Sequence, residues 1–167
     1  WTAMTFAIAE AHCFRGWSPP KKGPVRILDM GAGTGASGLS CLHYLRDQGV
    51  ENHLQLEAID YSNKSLAFLK KLHTARNDLW SDSRVTTIRQ DLKFSSNEDS
   101  RKKYDLILLG YSLNELLEEK SEDSNYSKML FSIPKLLKNN GMAIITEPAQ
   151  NDLCHLLQKK CAELVDG

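Results

Sequence analysis

The sequence predicts a doubly wound α/β fold, a mainly parallel sheet with helices on both faces. Three observations carry the prediction. Short apolar runs alternate with segments of helical periodicity along the chain, the order a parallel sheet needs because each strand must be followed by a crossover. The apolar run Val25–Met30 opens directly into the glycine-rich stretch Gly31-Ala32-Gly33-Thr34-Gly35. Aspartates, Asp29, Asp60 and Asp91, stand at the ends of three successive apolar runs, where open α/β sheets bind their ligands.

The elements follow in order. Ala3–Phe14 has helix-forming composition and Gly16 can stop it; Pro19-Pro20 and Gly23-Pro24 make a loop. Residues 1–24 therefore read as an N-terminal helix and loop ahead of the sheet. Val25–Met30 is a buried strand. Leu39, Leu42 and Leu45 recur at helical spacing, and Gly49 closes that helix. Leu54–Ile59 is a second strand ending at Asp60, and Ser62 is placed to cap a helix carrying Leu66, Leu69 and Leu72. Val85–Arg89 is a third strand ending near Asp91, and Tyr104–Leu109 a fourth. The polar stretches Ser95–Lys103 and Glu118–Asn125 read as loops. A helix is expected over Tyr126–Lys138, bent or interrupted at Pro134. Asn139-Asn140-Gly141 reads as a turn, Met142–Thr146 as a fifth strand and Asn151–Val165 as the last helix.

The whole of residues 1–167 reads as one domain, long enough to bury a core without staples. Hydrophobic residues make up 41% and charged residues 25%, the balance of an ordinary globular chain. No run approaches the ~18 apolar residues of a membrane helix, so no membrane is expected among the partners. The 21 basic and 21 acidic residues cancel, which argues against a surface built for strong non-specific nucleic-acid binding. Cys13, Cys41, Cys154 and Cys161 form no C-x-x-C pair, so neither a zinc site nor a disulfide framework is expected, and the compartment reads as reducing. Cys154 and Cys161 share a helical face with Leu157 and Leu164 and read as core. Trp1, Phe14, Trp17, Trp80 and Tyr126 read as core or lid rather than as a base-stacking platform. A chain that starts at Trp1 is expected to be a piece of a longer protein.

The chemistry gathers at Ile27-Leu28-Asp29-Met30-Gly31-Ala32-Gly33-Thr34-Gly35. Glycines let a ligand lie against bare backbone, and the following helix N-terminus offers free N–H groups and partial positive charge. Such a site suits a carboxylate or a phosphate. A P-loop needs a lysine that this stretch lacks. A dinucleotide fingerprint is formally present as Gly33, Gly35 and Gly38, with Asp60 standing 22 residues further on, so an NAD-dependent oxidoreductase stays open. S-adenosylmethionine is the other ligand that fits. Its ribose needs an acid at the second strand end, and its ammonium needs an acid such as Asp29 beside the glycines. Asp91 falls where its adenine amino group would lie.

At these residues the sequence resembles the class I S-adenosylmethionine-dependent methyltransferases over nearly all of Val25–Val165, with further matches at Tyr104-Asp105-Leu106-Ile107-Leu108 and Leu136-Leu137-Lys138-Asn139-Asn140-Gly141. The resemblance implies a Rossmann-like fold, S-adenosyl-L-methionine as cofactor, and a cofactor wall of Gly31, Ala32, Gly33 and Gly35 near the methionine, Asp29 at the amino end, Asp60 with Tyr61 at the ribose, Asp91 with Leu92 at the adenine, and Gly110 and Tyr111 beyond. It also implies an antiparallel hairpin completing the sheet; this C-terminal edge hairpin is missing after the last helix, so the edge of the fifth strand is expected to stand open. A narrower resemblance rests on Tyr111-Ser112-Leu113-Asn114-Glu115-Leu116 and Thr146-Glu147-Pro148, which are similar to the small-ribosomal-subunit methyltransferase-like family of bacteria and mitochondria. That family implies ribosomal RNA or the small subunit as partner, a cytoplasmic or mitochondrial location, and a second possibility, a non-catalytic cofactor-binding module in ribosome assembly.

Methyl transfer from a sulfonium needs positioning more than proton transfer. The loop after the fourth strand borders the methyl group in this superfamily. Asn114 is the candidate to orient an acceptor amine and Glu115 the candidate base; the alternative is that both cap the short helix around Leu116-Leu117. The chain lacks the Asn-Pro-Pro-aromatic sequence of base-amino methylation, and this loop holds no cysteine for attack on a pyrimidine ring.

Overall fold

The computed structural model describes residues 2–92, 102–112, 125–148 and 151–166. The elements are α1 (Thr2–Phe14), β1 (Val25–Met30), α2 (Ala36–Asp47), β2 (Leu54–Asp60), α3 (Asn63–Ala75), β3 (Ser83–Arg89), β4 (Tyr104–Gly110), α4 (Asn125–Leu136), β5 (Leu137–Thr146) and α5 (Asn151–Asp166). The five strands form one sheet in the order β3-β2-β1-β4-β5. Every described strand pair is parallel, as the alternating sequence pattern requires.

Strand periodicity explains why the central runs are continuously apolar. Along β1, Ile27 faces one core and Leu28 and Met30 the other; along β4, Leu106 and Leu108 face the first and Ile107 and Leu109 the second. On the first face lie Met4 and Ile8 of α1 and Leu39, Leu42 and Leu45 of α2. Leu66 and Leu69 of α3 pack on Ala58 of β2. On the second lie Met129, Leu130, Ile133 and Leu136 of α4, with Leu157 of α5 packed alongside. A strand covered on both sides has no polar face to spare, so the period-two signal disappears. β3 is an edge strand, and its residues are half-buried or exposed throughout.

Several local expectations hold. Ser62 caps α3, its Oγ accepting from the Ser65 amide at 3.2 Å. Trp17 and Trp80 are buried; their ring N–H groups donate to the carbonyls of Asp105 and His73, which meets the rule that a buried indole N–H needs an acceptor.

Others do not. Phe14 is exposed. Cys154 is half-buried and Cys161 is exposed, because α5 packs through Leu157 and Cys161 lies a full turn beyond that contact. α4 ends at Leu136, with Pro134 in its last turn, and β5 begins at once at Leu137. Leu137 pairs with Tyr104 and Met142 with Leu106. Lys138 to Gly141 therefore stand opposite the single residue Asp105, so the expected Asn-Asn-Gly turn is a long bulge inside the strand. Asp105 anchors it: Lys138 Nζ donates to both its carboxylate oxygens, at 2.9 and 2.8 Å, and the Arg26 amide donates to Oδ2 at 2.8 Å. The loop residues 95–101 and 118–124, and Trp1, lie outside the described residues.

Candidate functional site

The chain builds β1, steps outward through β2 to β3, and returns to the other side of β1 with β4 and β5. The strand order reverses between β1 and β4, and the carboxyl ends there open a crevice, the usual ligand position in such sheets. A cleft of about 240 Å³ lies there. Gly31 and Gly33 of the loop after β1, Asp60 and Tyr61 at the end of β2, Asp91 and Leu92 after β3, and Tyr111 after β4 all line it. Ser62, Ser65 and Ser112 complete the wall.

The glycine loop is held by backbone bonds to β2. The amides of Gly31 and Ala32 both donate to the Ile59 carbonyl, each at 2.9 Å. Gly31 has φ +74°, and a Cβ there would come 2.4 Å from the Ser112 Cβ; only glycine meets both demands. Gly33 has φ +53° with open space where a Cβ would point, so its bare backbone faces the cleft.

Asp60 is the organising side chain. It is 6% exposed. Its Oδ2 accepts from the Gly33 amide at 2.8 Å and its Oδ1 from the Ser62 amide at 2.7 Å. One carboxylate thus joins the glycine loop to the start of α3. A carboxylate accepts about four hydrogen bonds, so two lone-pair positions remain for a diol.

Asp29 is placed behind the wall rather than on it. It is fully buried, and its Oδ2 accepts from the Gly38 amide at 2.8 Å in the first turn of α2. Its Oδ1 is buried without a hydrogen-bond partner. Burial raises its pKa from 3.8 to about 7, against the lowering effect of the Gly38 bond, and the Asp60 charge adds to the rise. The neighbouring Cys41 thiol is pushed up by burial and by Asp29.

Of the other expected residues, Ala32 is buried against Leu66 and Leu69, Gly35 is the N-cap of α2, and a Cβ on Gly110 would strike Ser37; none lines the cleft. Asn114 and Glu115 lie outside the described residues. Tyr61 and Tyr111 are the exposed aromatics of the rim, at 63% and 54%. Tyr111 has φ +59°, a conformation that costs a non-glycine residue about 1–3 kcal/mol and gathers at functional sites. Sequence reasoning treated Ser62 only as a cap and passed over Ser65; a serine carries no pattern until the fold sets it beside a ligand site. Among the described residues no group of three or more His, Cys, Asp or Glu converges as a metal set does, and no helix is long and apolar enough to cross a membrane.

Residues 21–166 match the profile of a family described as a methyltransferase domain. Solved structures share the fold. The DszA carbon methyltransferase superposes with a TM-score of 0.60 at 20% identity, over 89% of this chain and 35% of that one. The YcgJ protein from Bacillus subtilis superposes at 0.58 with 15% identity, over 87% and 50%. PKMT2 from Rickettsia typhi, solved in complex with AdoHcy, superposes at 0.55 with 20% identity, over 83% and 23%. The chain thus spans between 23% and 50% of the length of these proteins. A comparison with curated proteins finds no match.

Proposed function

Because the chain belongs to the methyltransferase-domain family, we propose that it is a class I S-adenosylmethionine-dependent methyltransferase that binds S-adenosylmethionine in the cleft at the ends of β1 to β4 and transfers the methyl group. One observation carries this reading: the glycine loop, Asp60, and Asp91 with Leu92, separated in sequence, converge on one cleft at the strand-order reversal. The chemistry of the wall fits the ligand. Gly33 offers open backbone, Asp60 keeps lone pairs for a ribose diol, and Leu92 offers an apolar surface to a base with Asp91 beside it. The orphaned Oδ1 of Asp29, buried under the helix N-terminus, suits the neighbourhood of a cationic amine. PKMT2, part of which shares this fold, was solved in complex with AdoHcy.

The cofactor supplies an electrophilic methyl group on its sulfonium. The protein's part is to hold that group and exclude alternatives, since in-line displacement is accelerated chiefly by positioning. Gly31 and Gly33 hold one side of the cleft. Asn114 and Glu115, which follow Tyr111 and Ser112 in the sequence, are the pair we assign to orienting and deprotonating the acceptor. For the acceptor we propose ribosomal RNA of the small subunit, in the cytoplasm or a mitochondrion; the stretches Tyr111–Leu116 and Thr146-Glu147-Pro148 support this through their likeness to that methyltransferase-like family.

Calorimetric titration with S-adenosylhomocysteine, with NAD as control, tests the cofactor reading. Micromolar binding of the first and none of the second is the expected result; preference for NAD overturns it. Incubation with labelled S-adenosylmethionine and small-subunit RNA then tests the acceptor. Cofactor binding without label transfer would favour the non-catalytic module.

A further inference from the structure

Ser112 is 8% exposed and follows β4 directly. Its Oγ donates to the Met30 carbonyl at 3.1 Å, 82 residues away in sequence. Its Cβ sits over Gly31. The Gly31 amide donates in turn to the Ile59 carbonyl at 2.9 Å. The Met30–Gly31 peptide is therefore pinned at both ends, its carbonyl by Ser112 and its N–H by β2. The preceding residue contributes from the other side: the Tyr111 amide donates to the Thr146 carbonyl of β5 at 2.8 Å, with Tyr111 held at positive φ. Two consecutive residues thus tie the end of β4 to β1 and to β5, at the cleft wall that both of them line.

We propose that Ser112 is a positioning residue, a hydroxyl latch that fixes the first peptide of the glycine loop relative to the acceptor side of the cleft; its role for the cofactor rests on the reading above. In-line transfer tolerates little misplacement of the methyl carbon, and Gly31 has no side chain of its own to hold its peptide. The Ser112 hydroxyl adds to the bonds from β2 a constraint on the Met30 carbonyl from the end of β4.

The test is a graded series, Ser112→Cys and Ser112→Ala, read in three ways: S-adenosylhomocysteine affinity, amide hydrogen exchange at Gly31 and Ala32, and melting temperature. One neutral hydrogen bond of ordinary strength corresponds to roughly a fivefold change in affinity. The latch predicts affinity falling in the order Ser, Cys, Ala with donor strength, to about fivefold for alanine. Exchange should quicken at Gly31 and Ala32, while the melting temperature moves by no more than about 4 °C. Wild-type affinity and exchange in the alanine variant overturn the latch. So does a loss that comes with exchange quickening evenly across the sheet, the mark of general destabilisation. If wild-type protein binds no S-adenosylhomocysteine, the functional reading falls, and exchange at Gly31 and Ala32 alone decides the latch: quickened, it stands; unchanged, it fails.

Discussion

The amide of Gly33 donates to Oδ2 of Asp60 across 27 residues of sequence, at 2.8 Å. The acid at the end of β2 is therefore a structural member of the glycine loop before any ligand arrives. Replacing it by alanine strands the Gly33 and Ser62 amides together. Hydrogen bonds to a charged acceptor contribute about 1.5–3 kcal/mol each, so Asp60→Ala, which removes two, should lose about 3–6 kcal/mol of stability in urea unfolding. It should also weaken S-adenosylhomocysteine by more than tenfold in calorimetry. Normal affinity in a folded variant would remove Asp60 from the ligand site.

Asp29 makes stability depend on pH. Its folded pKa, about 7, lies above the ordinary 3.8. Between those values the folded protein keeps a proton that the unfolded chain has released. The contribution of Asp29 to stability is then greatest below pH 4, falls as pH rises toward 7, and levels off above it. A rise of this size corresponds to ~4 kcal/mol at the upper limit. Urea midpoints at pH 5.5, 7 and 8.5 should show the decline in wild type and a shallower one in Asp29→Asn. Equal slopes in both proteins would assign the dependence to other groups. A cationic ligand near Asp29 favours its ionised form, so cofactor affinity should rise with pH over the same interval.

Gly31 and Gly33 should separate folding from binding. Alanine at Gly31 meets both the positive φ and the Ser112 side chain at 2.4 Å. Left-handed backbone costs roughly 1–2 kcal/mol and overpacking roughly 1–3 kcal/mol, so Gly31→Ala should lose about 2–5 kcal/mol. Gly33→Ala bears the φ cost alone, about 1–2 kcal/mol, because its Cβ meets nothing within 4 Å. That Cβ points into open space beside the cleft, so affinity should suffer more than stability. Thermal melts and titrations of both variants decide the ranking.

Asp105→Ala should do the reverse. It leaves the Lys138 ammonium and the Arg26 amide without their acceptor at the far end of β4. Losing one partner of a largely buried pair costs about 2–4 kcal/mol. S-adenosylhomocysteine affinity at the opposite end of the strand should stay within about twofold. A large loss of affinity would show that the bulge communicates with the cleft.

Much of this was legible in the residues themselves. Val25–Met30 running into glycines, Ser62 ahead of Leu66, and Asp60 closing an apolar run each announce their place, because the local pattern and the tertiary role agree. Three features were hidden. The complete burial of Asp29 depends on α2 folding back over β1, which no local pattern records. Ser112 gains its role only when β4 lies beside β1. Asn139-Asn140-Gly141 does carry turn chemistry, yet Leu137 already belongs to the strand, so the reversal expected between two elements is spent inside one.

That bulge has a consequence for variation in chain length. Leu137 is fixed by Tyr104, and Met142 by Leu106, while Lys138 to Gly141 bow out between two independent pins. Residues added at Asn139-Asn140, the exposed part of the bow, alter its size and leave the phase of Met142–Thr146 untouched. The carbonyl of Thr146 that receives Tyr111 is thereby insulated from insertions there. The bow is a natural place to graft a tag or a longer loop without disturbing the rim of the cleft.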